Sequence, residues 1–327
     1  MMYDDLNAYA IVADIGGTFA RFSRVNLDTL EMDKIEIYAC AEYSSIEAVL
    51  LTYQVKQSLE NITQVALAIA CPVLDDVVCM TNTDWRFSIS ELKQKLGLSE
   101  LKVLNDFNAI AMSIPALSEL QLVQVGKGLP DQSKPRVVLG AGTGLGVAYL
   151  IANDQDYLAQ AGEGGHVSWG ARTEQEWFIY CYLRKTYAHV SYERLLSGHG
   201  LENIYRALTV FYQQEERSLP AAQIVALALA QQCVVAEATV AQFFALLGAY
   251  AGDLALIFSA FGGIYIAGGI VPRLLPLLHH SDFRSRFEEK GRFSSFNAQI
   301  PVYIITAEQP GILGAAVYLK HRLNNQV

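Results

Sequence analysis

Two polar residues, Asn105 and Asp106, directly follow a short apolar segment in the sequence Leu104-Asn-Asp-Phe107. If that segment is a strand, its carboxyl end opens into the crevice where α/β proteins bind ligands. There the carboxylate of Asp106 could accept a proton from a substrate hydroxyl, while Asn105 orients the same substrate. Asp106 could instead cap a helix running through Ala109 to Ser113, and the two roles can coexist.

A second group of polar side chains lies in Gly162-Glu-Gly-Gly-His166, where three glycines keep the backbone slim around Glu163 and His166. Such a turn brings a carboxylate and an imidazole close to a small polar ligand, so we favour a binding role over a structural one. Glu193, in SYERLLSG, could reach the same site. Considered by itself, Glu193 is an acid at a helix start that the helix dipole would stabilise.

Two glycine turns occupy matching positions in the two halves of the chain, Asp14-Ile-Gly-Gly-Thr18 and Gly140-Ala-Gly-Thr-Gly144. Each follows an apolar strand, so backbone N–H groups and a threonine hydroxyl could bind phosphate oxygens. Facing each other across a cleft, the two turns could clamp a polyphosphate. Asp14 is suited to hold Mg²⁺ through water, because this ion keeps much of its hydration shell. Neither turn is a P-loop or a Rossmann motif, because no GKS or GKT follows and a strand comes next.

Small residues also recur in Ala267-Gly-Gly-Ile-Val-Pro-Arg273 and in Gly311-Ile-Leu-Gly314. At a strand end and a helix start they would let a flat purine lie against the backbone, notably at Gly268 and Gly269. Close packing of elements produces the same pattern. The sequence leaves both interpretations open.

The elements that position these residues follow from the apolar patterns. A hairpin is predicted for the two opening apolar segments, YAIVADIGGT and ARFSRVNL. The strand KIEIYACAE, a helix from Ser45 to Leu59 and the strand QVALAIACPV follow. After them come a polar hairpin, a helix capped by Ser88 and the strand LKVLND. Interleaved strands and helices predict an α/β lobe. PRVVLGAGTGLGVAYLIAN then repeats the opening pattern, which indicates a degenerate internal duplication. A mostly helical region from Thr173 to Ser259 precedes the strands GGIYIAGG and IPVYIIT and a last helix.

Composition restricts the class of function. The 327 residues are 52% hydrophobic and 17% charged, which fits two packed lobes rather than a disordered chain. The net charge of −9 and the lack of a basic cluster argue against nucleic acid as the main partner. Five scattered cysteines form no metal-binding spacing and indicate reduced thiols in a cytosolic protein: Cys40, Cys71, Cys79, Cys181 and Cys233.

Two further patterns bear on location. The first ten residues carry two acids where a signal peptide needs basic residues, so we expect no export. The uncharged stretch from Leu254 to Pro272 is long enough for a membrane span but contains four glycines. A helix end followed by a buried strand therefore explains it better, and we expect no membrane partner.

The order of the motifs is more specific than any one of them. From ADIGGT through LNDF, GAGTGLGVA, GEGGHV, ERLLSG and AGGIVPR to PGILGAA, nearly the whole chain resembles the bacterial glucokinase family of the sugar-kinase, heat-shock and actin ATPase superfamily. The resemblance implies an α/β, two-lobed actin-like ATPase (ribonuclease H-like) fold. A small α/β lobe of residues 1–115 and 306–327 and a larger α+β lobe of residues 116–305 would flank a cleft.

The same resemblance implies an enzyme that transfers phosphate from Mg·ATP to glucose, the first step of glycolysis, and that forms homodimers. The family's sugar-binding residues match Asn105, Asp106, Glu163, His166 and Glu193, with Asp106 as the catalytic base. Its ATP-binding loops match Ala13, Asp14, Ile15, Gly16, Gly17, Thr18, Gly140, Gly142, Thr143 and Gly144. Ala13 stands where we expect glycine, a small departure that should not block the phosphates. The cysteine-rich zinc motif of related repressors and kinases is missing, so we expect no zinc.

Three other functions compete with glucose phosphorylation. A kinase for mannose, fructose or an N-acetylated amino sugar would need the same site residues. A sugar-responsive transcription regulator would need a DNA-binding helix-turn-helix before ADIGGT, and few residues precede it. An actin- or chaperone-like ATPase that ignores sugar would need a peptide-binding domain after the nucleotide lobes, for which we expect too little chain.

Overall fold

The computed structural model describes residues 8–80, 83–153 and 156–324, which divide into two compact units. The first unit contains the described residues of Met1–Ser118, Asn153–Gln160 and Ala307–Val327. The second contains those of Glu119–Ala152 and Ala161–Thr306. The lobe boundaries predicted from the sequence, after residues 115 and 305, remain a proposal about the functional division of the chain.

The first unit is built on a five-stranded sheet with the order β3-β2-β1-β4-β7. Its strands are β1 (Tyr9–Ile15), β2 (Phe19–Asn26), β3 (Met32–Ala39), β4 (Gln64–Ile69) and β7 (Glu100–Asn105), and a separate small hairpin joins β5 (Val77–Cys79) to β6 (Arg86–Ser88). The predicted opening hairpin is confirmed, because β1 and β2 pair antiparallel. β1, β4 and β7 run parallel, so their carboxyl ends meet at one edge.

Four helices cover this sheet: α1 (Ile46–Gln57), α2 (Ile89–Lys95), α3 (Asp106–Ser113) and α11 (Pro310–Asn324). The serine caps predicted for α1 and α2 are present, since Ser45 accepts from the N–H of Ala48 and Ser88 from that of Glu91. One apolar cluster lies under α1, and a second joins β1 and β4 to α3 and α11. Alternate residues of β1 therefore serve opposite faces of the sheet.

The second sheet has the order β11-β10-β9-β12-β13-β8. Its strands are β8 (Leu122–Val125), β9 (Arg136–Ala141), β10 (Leu145–Asn153), β11 (Asp156–Gly162), β12 (Gly263–Ala267) and β13 (Val302–Ile305). β9 pairs antiparallel with β10 across the second glycine turn and parallel with β12, which is parallel to β13. The strand pairings repeat those of the first sheet, as the predicted internal duplication implies, whereas the edge strand β8 was missed.

Helices make up most of the rest of the second unit: α4 (Glu174–Arg184), α5 (Gly198–Phe211), α6 (Ala221–Leu229), α7 (Val234–Phe258), α8 (Leu275–Leu278), α9 (Phe283–Glu288) and α10 (Ser294–Ala298). Among the described residues, only α7 is long and apolar enough to cross a membrane, and 78% of its apolar stretch is buried inside the protein. The end of α7 followed by the fully buried β12 confirms the interpretation of residues 254–272 as a helix end and a core strand.

Candidate active site

The carboxylates of Asp14 and Asp106 lie at the common carboxyl edge of the first unit's parallel strands. The register aligns Ile15 of β1 with Ile69 of β4, and Ile69 with Asn105 of β7. Asp14 is therefore one residue from the end of β1, and Asp106 begins α3 directly after β7. Chain order alone separates these acids by most of the first unit, and the parallel register brings them to one edge.

The surroundings of both acids favour their neutral forms. Burial raises the pKa of Asp106 to about 6, the negative charge of Asp14 adds to the rise, and a hydrogen bond from the N–H of Phe107 opposes it. Burial also raises the pKa of Asp14, and Arg21, its neighbour across the β1–β2 pair, opposes that rise. Asp106 is therefore a carboxyl group whose pKa lies close to neutral pH, as a general base requires.

Asn105, not Asp106, caps helix α3, which corrects the structural alternative considered for Asp106. Its Oδ1 accepts from the N–H groups of Phe107 and Asn108, at 2.9 and 3.3 Å. Its Nδ2 donates to the carbonyl of Cys71 at 3.3 Å. A hydrogen bond from the Asn105 side chain also opposes the rise in the pKa of Asp106, so Asn105 both caps α3 and stabilises the ionised Asp106 carboxylate.

The first glycine turn connects β1 to β2 with part of its polar backbone already used. Gly16 donates its N–H to the carbonyl of Phe19 at 3.0 Å, and the carbonyl of Thr18 accepts from Cys40 at 2.9 Å. Within the described residues, the N–H groups of Gly17 and Thr18 donate no such backbone bond, so they are the ones that could meet a phosphate. Two of the residues predicted to bind the phosphates of ATP, Ala13 and Ile15, have fully buried side chains. They could therefore contact a phosphate only through their main chain.

The second unit brings together Glu163, His166 and Glu193, as the sequence predicted. Nε2 of His166 lies 3.9 Å from a carboxylate oxygen of Glu163 and 3.9 Å from Oε1 of Glu193. The side chains of Glu163 and His166 are 73% and 57% exposed, so both are open to a ligand. Glu193 is more enclosed, at 26%. The carbonyl of His166 bonds to Nε2 of His189 at 2.8 Å, which fixes the turn.

The second glycine turn is held by its neighbours more tightly than the first. The N–H of Gly142 donates to the carbonyl of Gly144 at 2.9 Å, and the N–H of Gly198, at the start of α5, donates to the carbonyl of Gly142 at 2.9 Å. The N–H of Leu145 donates to Oε2 of Glu193 at 3.0 Å. Within the described residues, these bonds leave the N–H groups of Thr143 and Gly144 as the ones that could meet a phosphate.

A cavity of about 440 Å³ opens beside this turn, entirely within the second unit. Small or apolar residues from the glycine turn, α5, α6 and the segment after β12 line much of it: Gly142, Thr143, Gly198, Leu201, Ala221, Ala222, Val225, Gly269 and Ile270. His199, Glu202 and Arg273 add polar groups. A mainly apolar cavity of this volume with a few polar groups suits a flat heterocycle and its attached ribose.

The small-residue patterns divide between the two interpretations that the sequence left open. Gly268 has φ of +88°, and a Cβ there would lie 2.4 Å from the carbonyl oxygen of Ala141, so packing requires glycine. A Cβ on Gly314 would lie 1.6 Å from the carbonyl oxygen of Ala109, which also indicates packing. Gly269 has open space around its Cβ position and lines the cavity. Gly269 is therefore the glycine of this set that fits a ligand-binding role.

Sequence reasoning missed the cavity wall supplied by α6. Ala221, Ala222 and Val225 belong to an alanine-rich stretch whose composition indicates only helix packing. It also missed the bond from Leu145 to Glu193, because neither residue type nor spacing marks a contact between segments that distant in the chain. The glycine at position 144 was the available signal, since a Cβ there would lie 2.7 Å from Oε2 of Glu193.

Comparisons with known proteins identify the family of this chain. The chain matches the family model described as Glucokinase over residues 11–322. A glucokinase of Photorhabdus laumondii subsp. laumondii is 44% identical over 319 residues, which are 98% of this chain and 99% of that relative.

Solved structures give the same assignment at the level of the fold. The crystal structure of a glucokinase from an Antarctic psychrotroph has a TM-score of 0.87 and 36% identity, covering 96% of this chain and 99% of that one. A glucokinase from Balamuthia mandrillaris in complex with glucose has a TM-score of 0.77 at 20% identity, covering 96% and 93%, which shows the fold alone. The predicted two-lobed, actin-like α/β fold is confirmed. Since both the family model and a relative of high identity span nearly its whole length, the chain belongs to the glucokinase family.

Proposed function

We propose that this protein transfers the γ-phosphoryl group of ATP to glucose, yielding glucose 6-phosphate and ADP as the first step of glycolysis. The observation that carries the proposal is Asp106, a carboxyl group at the end of a parallel strand with a pKa of about 6. Membership of the glucokinase family supports the choice of glucose and ATP.

In the proposed mechanism, Asp106 takes the proton from a sugar hydroxyl through Oδ2, because its Oδ1 already accepts from Phe107. The hydroxyl oxygen forms a bond to the γ-phosphorus, and the bond from that phosphorus to the bridging oxygen of ADP breaks. Little covalent assistance is needed in such a transfer, so positioning and charge stabilisation supply most of the rate. General-base assistance is typically worth about 10²–10⁴.

Asn105, Glu163, His166 and Glu193 would bind the sugar hydroxyls. Asn105 carries an amide that can donate or accept, whereas Glu163 and Glu193 supply acceptors. An analogue that lacks one contacted hydroxyl leaves such a polar group unpaired, which is costly. The backbone N–H groups of the two glycine turns would bind phosphates, and the cavity beside Gly269 would take the adenosine.

Asp14 fits the role of holding Mg²⁺. The described residues contain no cluster of three or more metal-binding side chains, and Mg²⁺ commonly binds through only one or two carboxylates together with waters and phosphates. The negative charge of Asp14 contributes to the raised pKa of Asp106, and a nearby divalent cation would oppose that contribution. The ion would neutralise charge on the phosphates.

A substrate panel tests the proposed function. ADP release is measured with glucose, mannose, fructose, two N-acetylated amino sugars and no sugar. The highest kcat/KM should be with glucose, and Asp106→Ala should abolish most of the sugar-dependent turnover. A preference for another hexose would change the assigned substrate, and ADP release that no sugar alters would favour the actin- or chaperone-like ATPase.

We also propose that the protein works as a homodimer in the cytoplasm. The family resemblance supports dimerisation, and five free cysteines fit a reducing compartment. Sedimentation of the purified protein at several concentrations tests the dimer, and a monomer throughout would refute it.

A further inference from the structure

Glu193 contacts the two parts of the second unit that the proposed function assigns to different substrates. Its Oε2 accepts the N–H of Leu145 at 3.0 Å, directly after the turn proposed to bind phosphates. Its Oε1 lies 3.9 Å from Nε2 of His166, in the group proposed to bind sugar. One carboxylate therefore joins the two sets of residues.

The backbone around this carboxylate has little freedom to move. Ser197 donates its hydroxyl to the carbonyl of Glu193 at 2.8 Å, and a Cβ on Gly165 would lie 2.1 Å from the carbonyl oxygen of Leu145. Gly198 bonds to Gly142 on the far side of the turn. A shift of the Glu193 carboxylate should therefore move the glycine turn, because the backbone around it is too closely packed to adjust instead.

We infer that Glu193 is a positioning residue that couples the two substrates, so that a sugar bound at Oε1 tightens nucleotide binding at the turn. This inference rests on the proposed function. The sign follows from two effects. Sugar hydroxyls that donate to Glu193 spread its negative charge, which otherwise stands beside the phosphate-binding turn. They also fix the carboxylate, and through Leu145 they order the turn before a phosphate arrives.

The coupling is reciprocal, since each substrate must change the affinity of the other by the same factor. Calorimetry would measure the Kd of glucose with and without saturating AMPPNP and Mg²⁺, and the Kd of AMPPNP with and without glucose. In the wild-type protein we expect both ratios to be at least about fivefold. Equal affinities with and without the other ligand would overturn the inference.

Gly144→Ala tests the contact itself. The added Cβ would lie 2.7 Å from Oε2 of Glu193, so the flexible carboxylate has to leave the N–H of Leu145. The Kd of each ligand alone is measured as the reference within this variant, and the coupling ratio should fall to about one. Gly170→Ala is the matched control, because its Cβ also enters open space in the second unit, outside the residues proposed to bind sugar or nucleotide, and it should keep the wild-type ratio. A wild-type ratio in Gly144→Ala, or an equal loss in both variants, would refute the role of Glu193.

The amide resonance of Leu145 provides a readout that does not depend on either variant. Glucose added without nucleotide should shift the N–H signal of Leu145 in the wild-type protein, because its acceptor changes charge distribution. No shift at saturating glucose would contradict the inference. Failure of the proposed function is distinguishable, since it would appear as missing glucose-dependent ADP release, whereas ADP release with a coupling ratio of one refutes the coupling alone.

Discussion

The backbone of Gly311 lies close to the carboxylate of Asp14. A Cβ on Gly311 would lie 3.1 Å from both Cγ and Oδ2 of Asp14, closer than nearly all real contacts of that kind. Gly311 follows Pro310 at the start of α11, so this helix borders the acid that precedes the last residue of β1. The position of this carboxylate therefore depends on a glycine that sequence reasoning linked only to a purine or to packing.

Gly311→Ala should displace Asp14 by a few tenths of an ångström and weaken its hold on Mg²⁺. We expect kcat to fall roughly 3- to 10-fold and the half-saturating Mg²⁺ concentration to rise, with KM for glucose nearly unchanged, since small misplacements are costly in catalysis. Steady-state kinetics across a Mg²⁺ series measure both. Gly170→Ala is the control, because its Cβ meets open space. Identical kinetics in Gly311→Ala and the wild type would show that Asp14 is not the metal residue.

Asp106→Ala should lower kcat at least about a hundredfold, because it removes the proposed general base. Glucose binding should persist in part, since Asn105, Glu163, His166 and Glu193 remain. Kinetics give the first value and calorimetry the second. Near-normal turnover would rule out Asp106 as the base.

The pH dependence of the reaction should report Asp106. The base acts when it is ionised, so kcat/KM should fall as the pH drops through about 6, the pKa of Asp106. Asp14→Asn should move this limb to lower pH, because it removes the neighbouring charge that raises the pKa of Asp106. A limb near pH 4 in the wild-type protein would contradict the assignment.

Asp106→Asn should stabilise the unliganded protein at neutral pH. The folded-state pKa of Asp106 is raised, so the folded state binds more protons than the unfolded state between about pH 4 and 6. The free energy of unfolding therefore falls over that range as pH rises. Asparagine removes this loss, a gain on the order of 2–3 kcal/mol at pH 7.5 that vanishes near pH 4. Urea unfolding at both values measures it, and a pH-independent difference would contradict it.

Gly269→Val should fill part of the cavity beside the second glycine turn. Gly269 has no neighbour near its Cβ position, so the protein itself can accept the side chain. We expect KM for ATP to rise at least about tenfold, while kcat at saturating ATP and KM for glucose change little, because only ground-state binding of the nucleotide is affected. Unchanged KM for ATP would place the nucleotide elsewhere.

Replacing Asp253 and replacing Lys290 should lower the stability of the protein by different amounts. The Lys290 side chain is 4% exposed and donates to Oδ1 of Asp253 at 2.6 Å, whereas Asp253 is 42% exposed and also accepts from Tyr192. Burial lowers the pKa of Lys290, and the bond to Asp253 opposes this. Asp253→Ala should therefore cost about 3 kcal/mol of stability by leaving a buried cation, and Lys290→Met clearly less. Urea unfolding of both variants checks the order, which the reverse result would refute.

Local patterns in the sequence were sufficient for most of the strands, the two glycine hairpins and the serine caps, because each depends on nearby residues, whereas the short edge strand β8 was missed. The proximity of Glu163, His166 and Glu193 was also predicted, since polar residues in glycine-rich segments indicate a ligand-binding site. The roles assigned to them remain predictions.

Contacts set by distant packing were not predictable in the same way. The capping of α3 by Asn105 rather than Asp106 depends on where β7 ends, to within one residue. The bond from Leu145 to Glu193 and the contact of Gly311 with Asp14 join segments far apart in the chain. In the sequence, each of these contacts is marked only by a glycine. A glycine alone does not identify the neighbouring group that would collide with a Cβ at its position.

The burial of α7 also has a consequence for biosynthesis. This 25-residue apolar helix emerges from the ribosome before β12, β13 and α9, and its side chains form the centre of the second unit's core. Until those later segments are synthesised, the nascent chain exposes a long hydrophobic surface that chaperones or other nascent chains can bind. Expression at lower temperature should consequently improve the soluble yield of variants that weaken the second unit more than of variants that weaken the first.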